Sequence, residues 1–102
     1  MTAGDRGFQL TVHAPGTLAV DGVLSFGTAA AALQALELAL ADGAHGRLDL
    51  AGVRHSDSAG LSCVLAVAAE AGRRGHPLQV VNMPASMRTL AQVCEVDGLL
   101  MP

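Results

Sequence analysis

Asp49-Leu50-Ala51-Gly52-Val53-Arg54-His55-Ser56-Asp57-Ser58-Ala59-Gly60-Leu61 is the stretch on which the fold turns. Its first part belongs to a run over residues 47–53 that is apolar where a central strand needs to be. Residues 54–58 then read as a polar turn carrying two hydroxyls and an acid, Ser56, Asp57 and Ser58. A helix follows over residues 59–70, and its first charge is Glu70. Strand, turn and helix in that order make half of a β-α-β unit, which needs a parallel neighbour and a right-handed crossover. Ser58 falls at or just inside the helix N-terminus. Free backbone N–H groups and the positive end of the helix dipole favour an anionic group there.

The same reading extends in both directions. Residues 1–7 are small and polar and read as a flexible N-terminal tail ahead of one domain over 8–102. Residues 8–14 alternate apolar and polar, Pro15-Gly16 is a turn, and residues 17–24 form a second strand with a bend at Gly22. Together they predict an antiparallel hairpin. Ser25-Phe26-Gly27-Thr28 opens a helix with Thr28 as N-cap; it runs to about residue 42, with Leu33, Leu36 and Leu40 on one face and Gly43 beyond its end.

Downstream, Gly72-Arg73-Arg74-Gly75 stops the second helix, and its arginines suit the negative end of the dipole. Residues 77–82 are a fourth strand. Pro84 starts a third helix in its first turn, with Met87, Leu90, Ala91 and Cys94 as its apolar stripe, and Asp97-Gly98 breaks it before residues 99–102 close the chain. The expected fold is α/β, a single domain in the order β-β-α-β-α-β-α, with helices packed on a mixed four-stranded sheet.

Composition removes several functions. With 102 residues the chain holds one modest core, about two-thirds of the unfolded surface. All six basic residues are Arg, the net charge is −3, and Trp and Tyr are absent. A nucleic-acid binder wants a basic face with stacking aromatics, so none is expected. Without Lys there is neither amine catalysis nor a Walker-type phosphate loop. His13, His45, His55 and His76 are scattered, and no Cys/His spacing suits a metal. Cys63 and Cys94 read as small core or flank residues, not a disulfide framework. No apolar run approaches the ~18 residues of a membrane span, and a reducing cytoplasm is the simplest setting. No cofactor is expected.

The chemistry concentrates on the second helix. Leu61, Val64, Leu65 and Ala68 can face the sheet, leaving Ser58, Ser62, Ala66 and Ala69 on one flank and Cys63 and Val67 on another. A solvated helix carries charges on its outer face. A small, uncharged flank suits close docking of another protein, the alternative being a helix buried on both sides. Ser58 has three readings: a residue that stabilises the helix start, a phosphorylation site, or a nucleophile. The last lacks support, because His55 lies in the same turn and no nucleophile elbow is present. Asp49 and Asp57 read either as an acid pair or, as such residues more often act, as turn and helix caps.

Residues 48–53, then Ser56-Asp57-Ser58-Ala59-Gly60-Leu61, then Gly75-His76-Pro77-Leu78-Gln79-Val80-Val81-Asn82 ahead of a helix, resemble the STAS domain family over nearly the whole chain. In its anti-sigma-factor antagonist branch, the residue matching Ser58 is phosphorylated by a partner serine kinase, and the unphosphorylated form binds an anti-sigma factor through this turn and helix. Asp21-Gly22-Val23-Leu24-Ser25-Phe26-Gly27-Thr28, the Asp57-Ser58-Ala59-Gly60 turn, Leu90-Ala91 and Val96-Asp97-Gly98-Leu99-Leu100 are similar to a second branch, the STAS subunit of the Mla phospholipid transporter. That resemblance implies a non-catalytic cytoplasmic subunit, peripheral to the inner membrane, that binds and supports the ATPase of an ABC complex maintaining outer-membrane lipid asymmetry. That resemblance carries an ATPase contact over to Ser58, and together with the uncharged flanks of the second helix it predicts partner contacts at Ser56, Asp57, Ser58, Ala59, Ser62, Cys63, Ala66 and Val67. Ala59 departs from the second hydroxyl common in the antagonists, which favours the transporter branch over a phosphoswitch at Ser58.

Overall fold

The computed structural model describes residues 7–13, 15–96 and 98. β1 (Phe8–Val12) and β2 (Thr17–Leu24) form the expected hairpin, in register from Phe8 opposite Gly22 to Val12 opposite Leu18. β3 (Arg47–Ser56) pairs parallel with β2, and β4 (Gln79–Val81) pairs parallel with β3. The sheet is therefore mixed and runs in sequence order, β1-β2-β3-β4. α1 (Ala29–Leu40), α2 (Ser58–Arg73) and α3 (Ala85–Val93) complete the element order read from the sequence. The expected tail lies outside the described residues except for Gly7, whose carbonyl accepts a hydrogen bond from the Val23 N–H at 2.7 Å. Asp97 and residues 99–102 also lie outside them.

Strand residues alternate between a packed and an open face. Leu18, Val20, Leu24, Leu48, Leu50, Val53 and Val80 join one cluster with Ala32, Leu36 and Leu40 of α1, Leu61, Val64 and Val67 of α2, and Met87 and Ala91 of α3. On the other face Gln9, Ala51 and Gln79 are exposed. β2, β3 and β4 are parallel and in sequence order, and crossovers between such neighbours share one hand, so α1 and α2 lie on the same side of the sheet and against each other. The bend expected at Gly22 is present: its φ is +104°, and a Cβ there would lie 2.4 Å from the Gly7 carbonyl oxygen.

Several boundaries differ from the sequence reading: β1 ends at Val12, α1 at Leu40, and β4 covers only Gln79–Val81 of the expected 77–82; three further differences have a visible cause. Residues 54–56 are strand, not turn. Register shifts between Ala19 and Asp21 and between Gly22 and Val23 let His55 pair with Val23 and Ser56 with Leu24, so β3 continues as long as β2 offers partners. Arg54 and His55 are polar because they face solvent. α2 runs on to Arg73, past the expected end at 70, because both Arg73 and Arg74 reach back to the Glu70 carboxylate. Pro84 flanks α3 rather than starting it: its ψ of 146° is not helical, and the first helical residue is Ala85.

Candidate functional site

The turn between β3 and α2 is a single residue, Asp57. It adopts an extended conformation and caps α2. Its Oδ1 accepts the N–H groups of Ala59 at 3.0 Å and Gly60 at 3.1 Å. Its Oδ2 accepts the N–H of Phe26 at 3.0 Å, across to the loop after β2. The bond from Phe26, followed by those from Gly60 and Ala59, holds the Asp57 carboxyl below its usual range, so it stays ionised. Asp57, not Ser58, is therefore the cap. It also consumes donors that would otherwise have faced an external anion, and it adds a negative charge beside them. The expectation of a vacant anion site at this helix start gives way to a helix start already satisfied from within.

Ser58 is the first helical residue and is exposed, and its hydroxyl makes no hydrogen bond among the described residues. Ser62 and Ala66 are exposed on the same flank, one and two turns on; Ser56 and Ala59 are half-buried. Gly60 packs on the end of β2, which brings the first turn of α2 close to Leu24. Cys63 and Val67 depart from the expected outer flank. They are 4% and 2% exposed and belong to the core. The cause is α1: it lies on the same side of the sheet as α2 and covers the face on which both residues sit. Burial, with the charge of Glu37 adding, pushes the Cys63 thiol up to about 11, so it is not a reactive thiolate.

An open groove separates the N-terminal halves of the two helices. Ala29, Ala30 and Leu33 line it from α1, and Ala59, Ser62, Cys63 and Ala66 from α2. Phe26, 88% exposed, is carried on the loop that Asp57 tethers, three residues ahead of Ala29 at the N-terminal end of the groove. The loop is fixed further by Thr28. Thr28 sits at the N-cap position of α1 as expected, but its hydroxyl turns back to accept from the Ser25 N–H and donate to the Val23 carbonyl. Phe26 was not among the residues singled out from the sequence. The signal was available: it is one of only two Phe, and it stands outside any apolar periodicity between a strand end and a glycine.

The two carboxylates of the opening stretch do not act as an acid pair. Asp49 accepts the Ala51 N–H at 2.9 Å and the Asn82 amide at 3.1 Å, and these bonds lower its pKa. Asp57 is lowered by its own set. Neither is raised toward neutrality, as a general acid would need. Among the described residues no group of three or more His, Cys, Asp and Glu side chains could hold a metal ion, and no helix is long and apolar enough to cross a membrane.

A family model described as Mlab, STAS domain matches residues 7–102. The chain belongs to the STAS domain family, in its MlaB-like branch. Among solved STAS-type structures, an anti-sigma factor antagonist from Mycobacterium paratuberculosis superposes with a TM-score of 0.74 at 24% identity, covering 95% of this chain and 85% of its own. The Bacillus cell fate determinant SpoIIAA in its phosphorylated form gives 0.66 at 21%, covering 93% and 88%. The unphosphorylated form of the anti-sigma factor antagonist SpoIIAA gives 0.63 at 21%, covering 83% and 81%. At these identities the likeness shows a common fold. No curated protein matches this STAS chain.

Proposed function

We propose that this STAS domain is a non-catalytic subunit that docks on the ATPase of an ABC phospholipid transport system. In this reading it works on the cytoplasmic side, peripheral to the inner membrane through its partner, and its docking supports ATP hydrolysis and outer-membrane lipid asymmetry. The observation that carries the proposal is the uncharged groove between α1 and α2, flanked by the exposed Phe26 and by the unbonded hydroxyl of Ser58. An apolar surface of this kind beside a large exposed aromatic is what a protein partner covers. The MlaB-like family model supports the identity of that partner. The docking residues are then Ser58, Ser62 and Ala66 on the surface, with Ala59, Ser56 and Asp57 setting the geometry and Cys63 and Val67 supporting from beneath. Co-expression with a candidate ATPase subunit of such a transport system tests it. A stoichiometric complex is expected, lost in Ser58→Glu and in Ser62→Arg while the circular dichroism spectrum stays native; full binding by both variants overturns the site.

A second reading has one observation in its favour: Ser58 is exposed at the helix start in a fold shared with SpoIIAA, which has been solved in a phosphorylated form. Here the domain is an antagonist of an anti-sigma factor, switched off when a serine kinase modifies Ser58. A phosphate would set about −1.5 to −2 charges against Asp57, and the nearest N–H donors are already committed to that carboxylate. Intact-mass measurement of the protein from stressed cells decides: a Ser58 phosphate supports this reading, and its sustained absence removes it.

A further inference from the structure

The groove has a charge pattern of its own. Its upper part, from Ala29 to Ala66, is lined by no ionisable side chain other than the buried Cys63 thiol. Glu37 follows Leu33 by one turn on α1, and it lines a small cavity further along the two helices together with Ala41, Glu70 and Arg74. The two nearest arginines do not neutralise it. Arg73 and Arg74 both bind Glu70, Arg74 through its Nε at 2.7 Å, and Glu37 makes no ion pair among the described residues. At the other end stands the ionised Asp57. A partner entering here meets an apolar floor that runs down to the Glu37 carboxylate, the charge along it that is left without an ion pair, whereas Asp57 already holds three backbone N–H groups.

The shape narrows the occupant further. A partner strand needs an exposed sheet edge, and the walls of this groove are two helices, the setting in which an amphipathic helix docks. Ala30, Ala59, Ser62 and Ala66 are short enough for a helix to approach closely. Covering Glu37 with an apolar or acidic surface would desolvate it without a partner. We infer that the ATPase element seated in the groove is a basic amphipathic helix, its apolar stripe on Ala30, Leu33, Ser62 and Ala66 and a Lys or Arg side chain on Glu37. The inference rests on the docking function proposed above and names the chemistry of the partner's surface.

Titration of the purified chain against the purified ATPase at several salt concentrations tests it. Glu37→Gln is expected to weaken binding about two- to fivefold and Glu37→Arg about tenfold or more, and both variants should lose part of the salt dependence seen with the native chain. Asp42→Asn, in the exposed loop beyond α1, should leave the Kd unchanged. Thermal melts keep the comparison honest, since Glu37 is exposed and its variants should fold normally. If the native chain binds and neither Glu37 variant moves the Kd, the basic helix is wrong and the docking function stands. If the native chain does not bind the ATPase at all, both fall.

Discussion

Gly60 sits where the first turn of α2 crosses the end of β2, and a Cβ there would lie 2.0 Å from the Leu24 carbonyl oxygen. No flexible side chain can move aside, because the obstacle is backbone. Gly60→Ala should destabilise the fold by about 3 kcal/mol, read from denaturant unfolding; a change within about 0.5 kcal/mol would mean that α2 is not held this close. Asp57, three residues earlier, ties the same junction together electrostatically. Its carboxyl, with those of Asp49 and Glu70, is held below its ordinary value, for Asp57 by the N–H of Phe26 first and for Glu70 by the Arg74 guanidinium first. A carboxyl with a lowered folded pKa contributes stability that is complete above its unfolded value and is lost as pH falls through the folded one. The unfolded values are 3.8 for Asp and 4.5 for Glu. The melting temperature should therefore hold from neutrality down to about pH 5 and decline below that. Asp57→Asn should flatten part of that decline, and an unaltered acid profile in this variant would deny the cap its role.

At the level of elements, α1 offers a clean test of packing. Leu36 is fully buried against the sheet and α2, whereas Leu38, two residues on, is 76% exposed. Leu36→Ala should cost about 2–5 kcal/mol, and Leu38→Ala should stay within about 0.5 kcal/mol. Equal losses would mean that the helix is turned differently. The stripe of Leu33, Leu36 and Leu40 was legible because a 3.6-residue period survives in the sequence, although the structure adds Ala32 and leaves Leu33 half-buried on the groove. β3 was less legible. Arg54, His55 and Ser56 look like a turn by composition, and only the register shifts with β2 make them strand. The placement of Cys63 and Val67 could not be read locally either. A helix with small residues on every side does not announce which side is covered; the packing of α1 against it decides. The same holds for Asp57 over Ser58. Both types cap helices well, and the choice follows from the long-range bond to the Phe26 N–H, 31 residues away.

At the scale of the whole molecule, one side of the sheet is closed by three helices, and the exposed features converge on one corner of that side. Phe26 belongs to no cluster in the core, yet its backbone is held by Asp57 and its loop by the Thr28 hydroxyl. An aromatic ring held in water on a fixed loop gives up little conformational freedom when a partner covers it, which is the profile of a binding anchor. A ring serving only the fold would be buried with the other apolar side chains, as Phe8 is at 2% exposed. Removing Phe26 should then separate binding from folding. Phe26→Ala is expected to leave the melting temperature unchanged or slightly raised, because nothing inside the domain depends on the ring. It should also weaken the complex with the ATPase by about 2 kcal/mol or more, roughly a thirtyfold rise in Kd. Phe26→Leu, which keeps part of the apolar surface, should fall between. Calorimetric titration beside a thermal melt reads both quantities on the same preparation. A Kd unchanged in Phe26→Ala would move the docking face away from this corner, since the groove would then bind without the large apolar group beside it.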